Sequence, residues 1–302
     1  MSPVILAALL LAQPLEEARE LAARGEFEAA KAVLLKEVER SPTAPALAFL
    51  SQLQVITDAI PQGAQSLSRA LELAPSQYRW RTTLGALYYR LGKLDEAERE
   101  LRRAIGESPP LPVARYYLAG VFKARGDLAR AEESARLAVE HMPEEPVAES
   151  LPRLDFSLSV NARYMLAEIE ADLGREVEDL LRRTLRVEPT HPGARYLLAR
   201  SLLKRGMKEE GRNELAIFDR SKRAHEHLQQ GLNFSHAGNH ERAVAEYRLA
   251  LEAYPDHPRA LFFLARELVA RGFGEESQSL LTRLVEVEPG AEPLVVSLRQ
   301  SR

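Results

Sequence analysis

The chain of 302 residues contains no cysteine. This absence excludes disulfide bonds, thiolate metal sites and cysteine nucleophiles. A large excess of positive or negative charge is also lacking, because the sequence has 41 lysine and arginine residues and 44 aspartate and glutamate residues, which gives a net charge of −3. The sequence has no basic patch typical of nucleic-acid binding and no long run of like charge that would indicate an acidic or basic tail. We therefore expect no nucleic acid among the partners.

Apolar runs long enough to span a bilayer as a helix are absent as well, so we expect no membrane span. One shorter run, Val4–Ala12, has nine residues, the length of a signal-peptide core. Cleavage after Ala12 would leave Gln13 at the new N-terminus, although the preceding residues include no lysine or arginine and Leu10 is larger than usual near a cleavage site. Two interpretations stay open. Residues 1–12 are either a cleaved signal peptide of a periplasmic or secreted protein, or an apolar cap in a cytoplasmic one.

Proline and glycine recur along the chain at a nearly fixed interval. The prolines at Pro42, Pro75, Pro109 and Pro143 are separated by 33, 34 and 34 residues. Later prolines continue the series at Pro189, Pro255 and Pro289. Glycines that precede these prolines, most of them by 17 residues, are Gly25, Gly92, Gly126, Gly174, Gly206, Gly238 and Gly272. Because glycine commonly ends one helix and proline stops the next, this period predicts tandem helix-turn-helix repeats.

Each repeat also follows the same order of side-chain sizes. In the repeat at 78–111, Gly85 is the small residue where two helices approach closely, Gly92 ends the first helix and Ala97 lies at the tightest contact of the second. The segments LGALYYRLGKLDEAERELRRAIGESP and GLNFSHAGNHERAVAEYRLALEAYP carry the fullest pattern. This pattern resembles the tetratricopeptide repeat family over nearly the whole chain after residue 12. The resemblance implies an all-α fold, a right-handed α-α superhelix (solenoid) of about eight tandem repeats.

The recurring glycines and prolines divide the chain into two blocks of repeats. The predicted repeats are 11–43, 44–77, 78–111, 112–145, 160–191, 192–223, 224–257 and 258–291. We thus expect four repeats in 13–145, an insertion at 146–159, four repeats in 160–291 and a terminal cap at 292–302. The insertion contains two prolines and three serines, so it is either a simple linker or a segment folded over the groove. Three repeats depart from the pattern: Asp58 replaces the turn glycine of the second, the shortened fifth has Asp179 near the position of the second-helix alanine, and Arg223 replaces the closing proline of the sixth.

The resemblance also implies a concave face lined by the first helix of each repeat. The candidate ligand-binding residues at the positions that the family exposes on this face are Tyr89, Tyr116, Lys123, Tyr164, Tyr196, Arg200, Phe262 and Arg266. Aromatic side chains would provide large contact areas, and the basic ones would favour acidic groups on a partner. The alternative interpretation is that the rings pack between neighbouring helices.

Catalytic motifs are not apparent. The sequence contains no phosphate-binding glycine loop and no nucleophile elbow. Four of the seven histidines lie between His225 and His240, but at spacings that do not converge easily on a metal ion. We therefore expect a protein that is not an enzyme and that needs no metal and no cofactor.

The function implied by the resemblance is a non-catalytic protein–protein interaction scaffold that binds a peptide or a partner protein in its concave groove. A cleaved leader would place this role in the cell envelope. One alternative is a cytosolic adaptor that self-associates through its repeats as a homo-oligomer. Another is a metal-dependent or hydrolytic activity around the histidines of the seventh repeat.

Overall fold

The computed structural model describes residues 3–142 and 157–300. Within these residues the regular secondary structure is helical and no β-strand occurs, so the predicted all-α class is confirmed. The α-helices of the described residues are α1 (Pro3–Ala23), α2 (Phe27–Arg40), α3 (Ala44–Ile56), α4 (Ile60–Leu73), α5 (Tyr78–Arg90), α6 (Leu94–Glu107), α7 (Pro112–Ala124), α8 (Leu128–His141), α9 (Ser157–Asp172), α10 (Glu178–Val187), α11 (Pro192–Lys204), α12 (Lys208–His236), α13 (His240–Ala253), α14 (Pro258–Ala270), α15 (Gly274–Val287) and α16 (Glu292–Gln300).

These helices form two compact units, an N-terminal half with α1–α8 and a C-terminal half with α9–α16. In each half, helices joined by short turns pack against each other as pairs. First helices of successive repeats also touch, as α5 and α7 do in the N-terminal half and α12 and α14 do in the C-terminal half. The tandem arrangement predicted for a solenoid is therefore present within each half.

The turn between the two helices of a repeat requires a left-handed backbone conformation. All seven glycines predicted at these turns adopt φ angles between 71° and 84°, which confirms their assignment. In the second repeat Asp58 occupies the same place with φ 59°. Glycine adopts this conformation without the steric cost that a Cβ atom brings, and aspartate tolerates it better than most residues do.

Close approach of the paired helices depends on the small residue in the first helix. A Cβ atom added to Gly85 in α5 would lie 2.6 Å from Cγ of Leu101 in α6. A Cβ atom added to Gly231 in α12 would lie 2.4 Å from Cε1 of Tyr247 in α13. Leu101 and Tyr247 are fully buried, so these large side chains fill the space that the glycines leave.

The sixth and seventh repeats share one helix. We predicted a repeat boundary after Arg223, but α12 continues through it and spans 29 residues. The physical reason is that Arg223 retains the backbone N–H that proline lacks, so the helical ladder is not interrupted. The fifth repeat instead has a shortened second helix, because α10 has 10 residues whereas α6 and α13 have 14 each.

Three predicted segments lie near the limits of the described chain. Helix α1 continues from Pro3 to Ala23, but the side chains of residues 1–12, predicted as a leader or cap, lie outside the description, as do residues 146–156 of the predicted insertion. The segment predicted as a terminal cap contains α16, and its Val295 belongs to the same buried cluster as Leu284 of α15. In the described part of the chain, no helix is both long and apolar enough to cross a bilayer.

Candidate binding surface

In the N-terminal half, the predicted site residues lie on α5 and α7 around a group of tyrosines. The ring of Tyr89 covers Gly120, where an added Cβ atom would lie 2.9 Å from the ring carbon Cζ. Tyr117, which sequence reasoning missed, has its ring centroid 6.4 Å from that of Tyr89 and 5.0 Å from that of Tyr116. Lys123 is half-buried near the end of α7. The doubled tyrosine at 116–117 was the signal in the sequence for this three-ring contact.

In the C-terminal half, Tyr164 of α9 connects the first helices of two repeats. Its hydroxyl donates a hydrogen bond of 2.8 Å to Oε1 of Glu168, and its ring centroid lies 4.8 Å from that of His191. The ring also covers Gly193 at the start of α11. Burial and the adjacent Glu168 carboxylate raise the pKa of Tyr164, while the charge of Arg200 acts in the opposite direction. The hydroxyl therefore stays protonated and acts as a donor.

Tyr196 and Arg200 are the most accessible of the predicted residues in the C-terminal half. They are four residues apart on α11 and so lie on one helix face. Tyr196 is 48% exposed, and its ring centroid lies 5.4 Å from that of Phe218 in α12. Arg200 is also exposed. One aromatic and one cationic side chain are thus presented together to solvent.

The remaining two predicted residues, on α14, are less accessible than we expected. Phe262 is 9% exposed and belongs to the apolar cluster that joins α14, α15 and α16, so its ring packs between helices as the alternative interpretation held. Its neighbour Phe263 lies beneath the guanidinium of Arg266, with 4.8 Å from Cζ of the arginine to the ring centroid. Arg266 is half-buried and also lies 3.8 Å from a carboxylate oxygen of Glu267.

The arginine that precedes the tyrosine in the recurring ARY segments was missed by sequence reasoning. In α11, Nε of Arg195 donates a hydrogen bond of 2.7 Å to the carbonyl of Pro189, and Nη1 lies 2.6 Å from Oε2 of Glu214. Arg81 of α5 makes equivalent bonds to the carbonyl of Pro75 and to Glu100. These arginines connect a repeat to the closing proline of the one before it, which fixes the orientation of the first helix and of its exposed face.

Histidines near the seventh repeat form separate pairs with carboxylates. Nδ1 of His227 lies 2.8 Å from Glu246, and Nδ1 of His240 lies 2.9 Å from Glu267. Ser235 donates a hydrogen bond of 2.6 Å to the other oxygen of Glu267. Among the described residues, no group of three or more histidine, cysteine, aspartate or glutamate side chains is arranged to hold a metal ion.

The fold and this surface define a helical-repeat protein, and sequence comparison identifies its family. One model described as tetratricopeptide repeat matches residues 58–112 and 82–146, and another of the same description matches residues 235–301. The matched stretches together cover about half of the chain. The chain belongs to the tetratricopeptide repeat family. Membership of this family supports a protein-interaction scaffold.

Solved structures resemble the fold at low sequence identity. A tetratricopeptide repeat protein from Parabacteroides merdae ATCC 43184 is 14% identical with a TM-score of 0.53, over 84% of this chain and 97% of that one. MamA from Desulfovibrio magneticus RS-1, from residue 41 to its end, is 14% identical with a TM-score of 0.51, over 60% of this chain and 96% of that one. Such likeness concerns the fold alone. No curated protein matches the chain significantly.

Proposed function

We propose that this protein is a non-catalytic scaffold that holds an extended peptide, or an extended segment of a partner protein, against the first helices of its repeats. The observation that carries the proposal is the joint exposure of Tyr196 and Arg200 on one face of α11. Tyrosine offers a large contact area at a low cost in conformational entropy, and arginine binds carboxylates through two parallel hydrogen bonds. We therefore assign the partner segment at least one acidic residue near an apolar one.

The neighbouring first helices extend this surface. Tyr164 and Glu168 on α9 offer polar groups beside α11, close enough for the charge of Arg200 to act on the Tyr164 hydroxyl. In the N-terminal half, the rings of Tyr89, Tyr116 and Tyr117 form a second aromatic surface on α5 and α7. Each half thus has its own aromatic contact area, which suits a scaffold that engages a partner at more than one point.

Selection of peptides from a random displayed library against the full chain tests this function. We expect selected peptides to lose about tenfold in affinity or more with Tyr196→Ala and with Arg200→Ala, because anchors of these types dominate binding energy. Matched controls are Leu249→Ala, which removes an exposed apolar side chain from α13, and Arg212→Ala, which removes an exposed arginine from α12. Equal losses in the controls, or no loss at α11, would refute the proposal.

Self-association is the second candidate function, and the irregular second repeat favours it. Ile56 at the end of α3 is 57% exposed and Leu73 at the end of α4 is 54% exposed. Two exposed aliphatic side chains in one repeat suit an interface with a second copy of the chain. Sedimentation at increasing concentration should then show a dimer that Ile56→Asp and Leu73→Asp abolish. A monomer at every concentration would rule out this candidate.

Placement in the cell envelope is a further proposal that rests on residues 1–12 of the sequence. If these residues are a signal peptide, expression of the full chain in a bacterium should give a periplasmic product whose mass corresponds to an N-terminus at Gln13. A cytoplasmic product that retains residues 1–12 would instead make the apolar run a structural cap. The partner search would then turn to cytoplasmic proteins.

A further inference from the structure

A cavity of about 570 Å³ opens on the C-terminal half between helices α10, α11 and α12. It is lined by α10, α11 and the first part of α12, so two of its three walls are second helices. The buried side chains of Leu185 and Leu198 contribute its apolar part. Its charged lining residues are Asp179, Arg182, Arg183, Arg186, Arg195 and Glu214. The short α10 of the fifth repeat provides four of these six charges.

The charges that line this cavity do not balance. Four arginines and two carboxylates line it, and even with Glu210, which lies beside Arg182, one positive charge is in excess. Two of the arginines already have partners in the chain, since Arg195 pairs with Glu214 at 2.6 Å and Arg182 lies 3.3 Å from Glu210. Among the described residues, the exposed guanidinium groups of Arg183 and Arg186 have neither an ion pair nor a hydrogen bond.

This positive excess is not shared by two other cavities of the same half. The cavity along α15 is lined by two glutamates and a single arginine. The cavity at the turn between α12 and α13 is lined by two glutamates, one histidine and one arginine. Each of these two therefore favours no anion. Of these three cavities, the one lined by α10, α11 and α12, here called the arginine cavity, is the one whose net positive charge favours an anionic ligand.

We propose that the arginine cavity binds a phosphate monoester group carried by a phosphorylated side chain of a partner protein. A phosphate monoester carries a charge of about −1.5 to −2 near pH 7 and three strong acceptor oxygens, so it can bind the guanidinium groups of Arg183 and Arg186 at once, whereas a carboxylate supplies one negative charge and two oxygens. Guanidinium groups donate two parallel hydrogen bonds to phosphate oxygens, and Arg183 and Arg186 are both available for this.

The dimensions of the cavity agree with this assignment. Its volume lies within the range of about 300–1,000 Å³ that is typical of ligand pockets, so it admits the side chain that carries the phosphate as well as the phosphate itself. The buried leucines can contact the carbon atoms of that side chain. The two arginines proposed to bind the phosphate lie on α10, whereas Tyr196 and Arg200 lie on α11, so the two proposals are tested by different substitutions.

Titration of the full chain with small phosphate probes tests the proposal. Nuclear magnetic resonance of the arginine Nε–H groups would follow capped phosphoserine and capped phosphotyrosine, with capped glutamate and inorganic phosphate as comparison probes, at a salt concentration of about 0.15 M. We expect saturable shifts of the Arg183 and Arg186 signals with a phosphorylated probe, and binding of glutamate that is weaker by about tenfold or more.

Two charge-matched variants complete the test. Arg183→Gln with Arg186→Gln should weaken binding of the phosphorylated probe by about tenfold or more. Arg212→Gln with Arg220→Gln removes the same charge from exposed positions of α12 outside the cavity and should leave binding nearly unchanged. Equal weakening in both variants would show general electrostatic attraction and overturn the proposal. Inorganic phosphate or glutamate that binds as tightly as the phosphorylated probes would overturn it too.

Discussion

Arg81 and Glu100 form a buried ion pair between the two helices of the third repeat. Nη1 of Arg81 lies 3.0 Å from Oε2 of Glu100, and their side chains are 4% and 9% exposed. The same spacing of 19 residues joins two further pairs, Arg195 with Glu214 at 2.6 Å and His227 with Glu246 at 2.8 Å. Three repeats thus use one geometry to fix the first helix against the second, and the exposed residues of the first helix depend on it.

Loss of the arginine in such a pair should be costly. Arg81→Ala removes the buried partner of the Glu100 carboxylate and leaves only the exposed Arg99 beside it, and we expect a loss of about 3–5 kcal/mol in the free energy of unfolding. Urea denaturation followed by circular dichroism measures this loss. The control is Arg103→Ala on the exposed side of α6, which should change the stability by less than about 0.5 kcal/mol. A loss below about 1 kcal/mol for Arg81→Ala would contradict the structural role of the pair.

The sequence predicts local features of the fold better than it predicts contacts between helices. The turn glycines are predictable because a positive φ is a local backbone requirement that glycine meets best. The pair of Arg81 and Glu100 is not, since residues 19 apart meet only after two helices have packed. The burial of Phe262 cannot be predicted from the sequence either. Phe262 on α14 occupies the repeat position that Tyr196 occupies on α11, but packing against α15 and α16 buries Phe262 whereas Tyr196 stays exposed.

The glycine at the small-residue position of a first helix cannot be replaced by alanine without a clash, whereas a glycine elsewhere in a helix can. Gly231→Ala places a Cβ atom 2.4 Å from Cε1 of the buried Tyr247 ring, so we expect α12 and α13 to separate at a cost of about 1–3 kcal/mol. Gly106→Ala is the matched control, because it lies in α6 with no atom within 4 Å of the added Cβ. It should raise the stability by about 0.5–1 kcal/mol through helix propensity. Thermal unfolding of both variants measures the two signs, and destabilisation by Gly106→Ala would contradict this reasoning.

The turn glycines of the other repeats suggest that replacing Asp58 with glycine would stabilise the protein. The backbone of Asp58, with φ 59°, has the conformation that seven turn glycines adopt in the other repeats. Asp58→Gly should therefore stabilise the protein by about 0.5–1 kcal/mol, whereas Asp58→Ala, which keeps a Cβ atom and loses the polar side chain, should destabilise it by a similar amount. Differential scanning calorimetry would resolve the two melting temperatures. Equal melting temperatures for the two variants would contradict the role of backbone strain at this turn.

His257 should make the stability of the C-terminal half depend on pH. Its ring is buried at the start of α14, where Nδ1 accepts a hydrogen bond from the backbone N–H of Ala260. Burial, with the nearby His225 and Arg259 charges, lowers the pKa of His257 to about 4, against about 6.5 in the unfolded chain. Between these two pKa values the unfolded chain binds one more proton than the folded chain, so the stability falls as the pH drops through 6.5 towards 4.

The size of this effect follows from the difference between the two pKa values. At pH 5 the contribution of His257 amounts to a loss of about 2 kcal/mol relative to pH 7, and the loss is complete below pH 4 at about 3 kcal/mol. His257→Asn is the matched variant, because an asparagine oxygen can accept the same bond from Ala260 and does not titrate. We expect urea denaturation at pH 7 and pH 5 to show a pH-dependent loss that is smaller in this variant by about 2 kcal/mol. If the wild type and His257→Asn lose equal stability over this interval, the buried neutral histidine is not the cause. The acid sensitivity must then come from carboxylates such as Glu178. Burial raises the pKa of Glu178, but hydrogen bonds from the Ser201 hydroxyl and Arg205 outweigh burial and lower it.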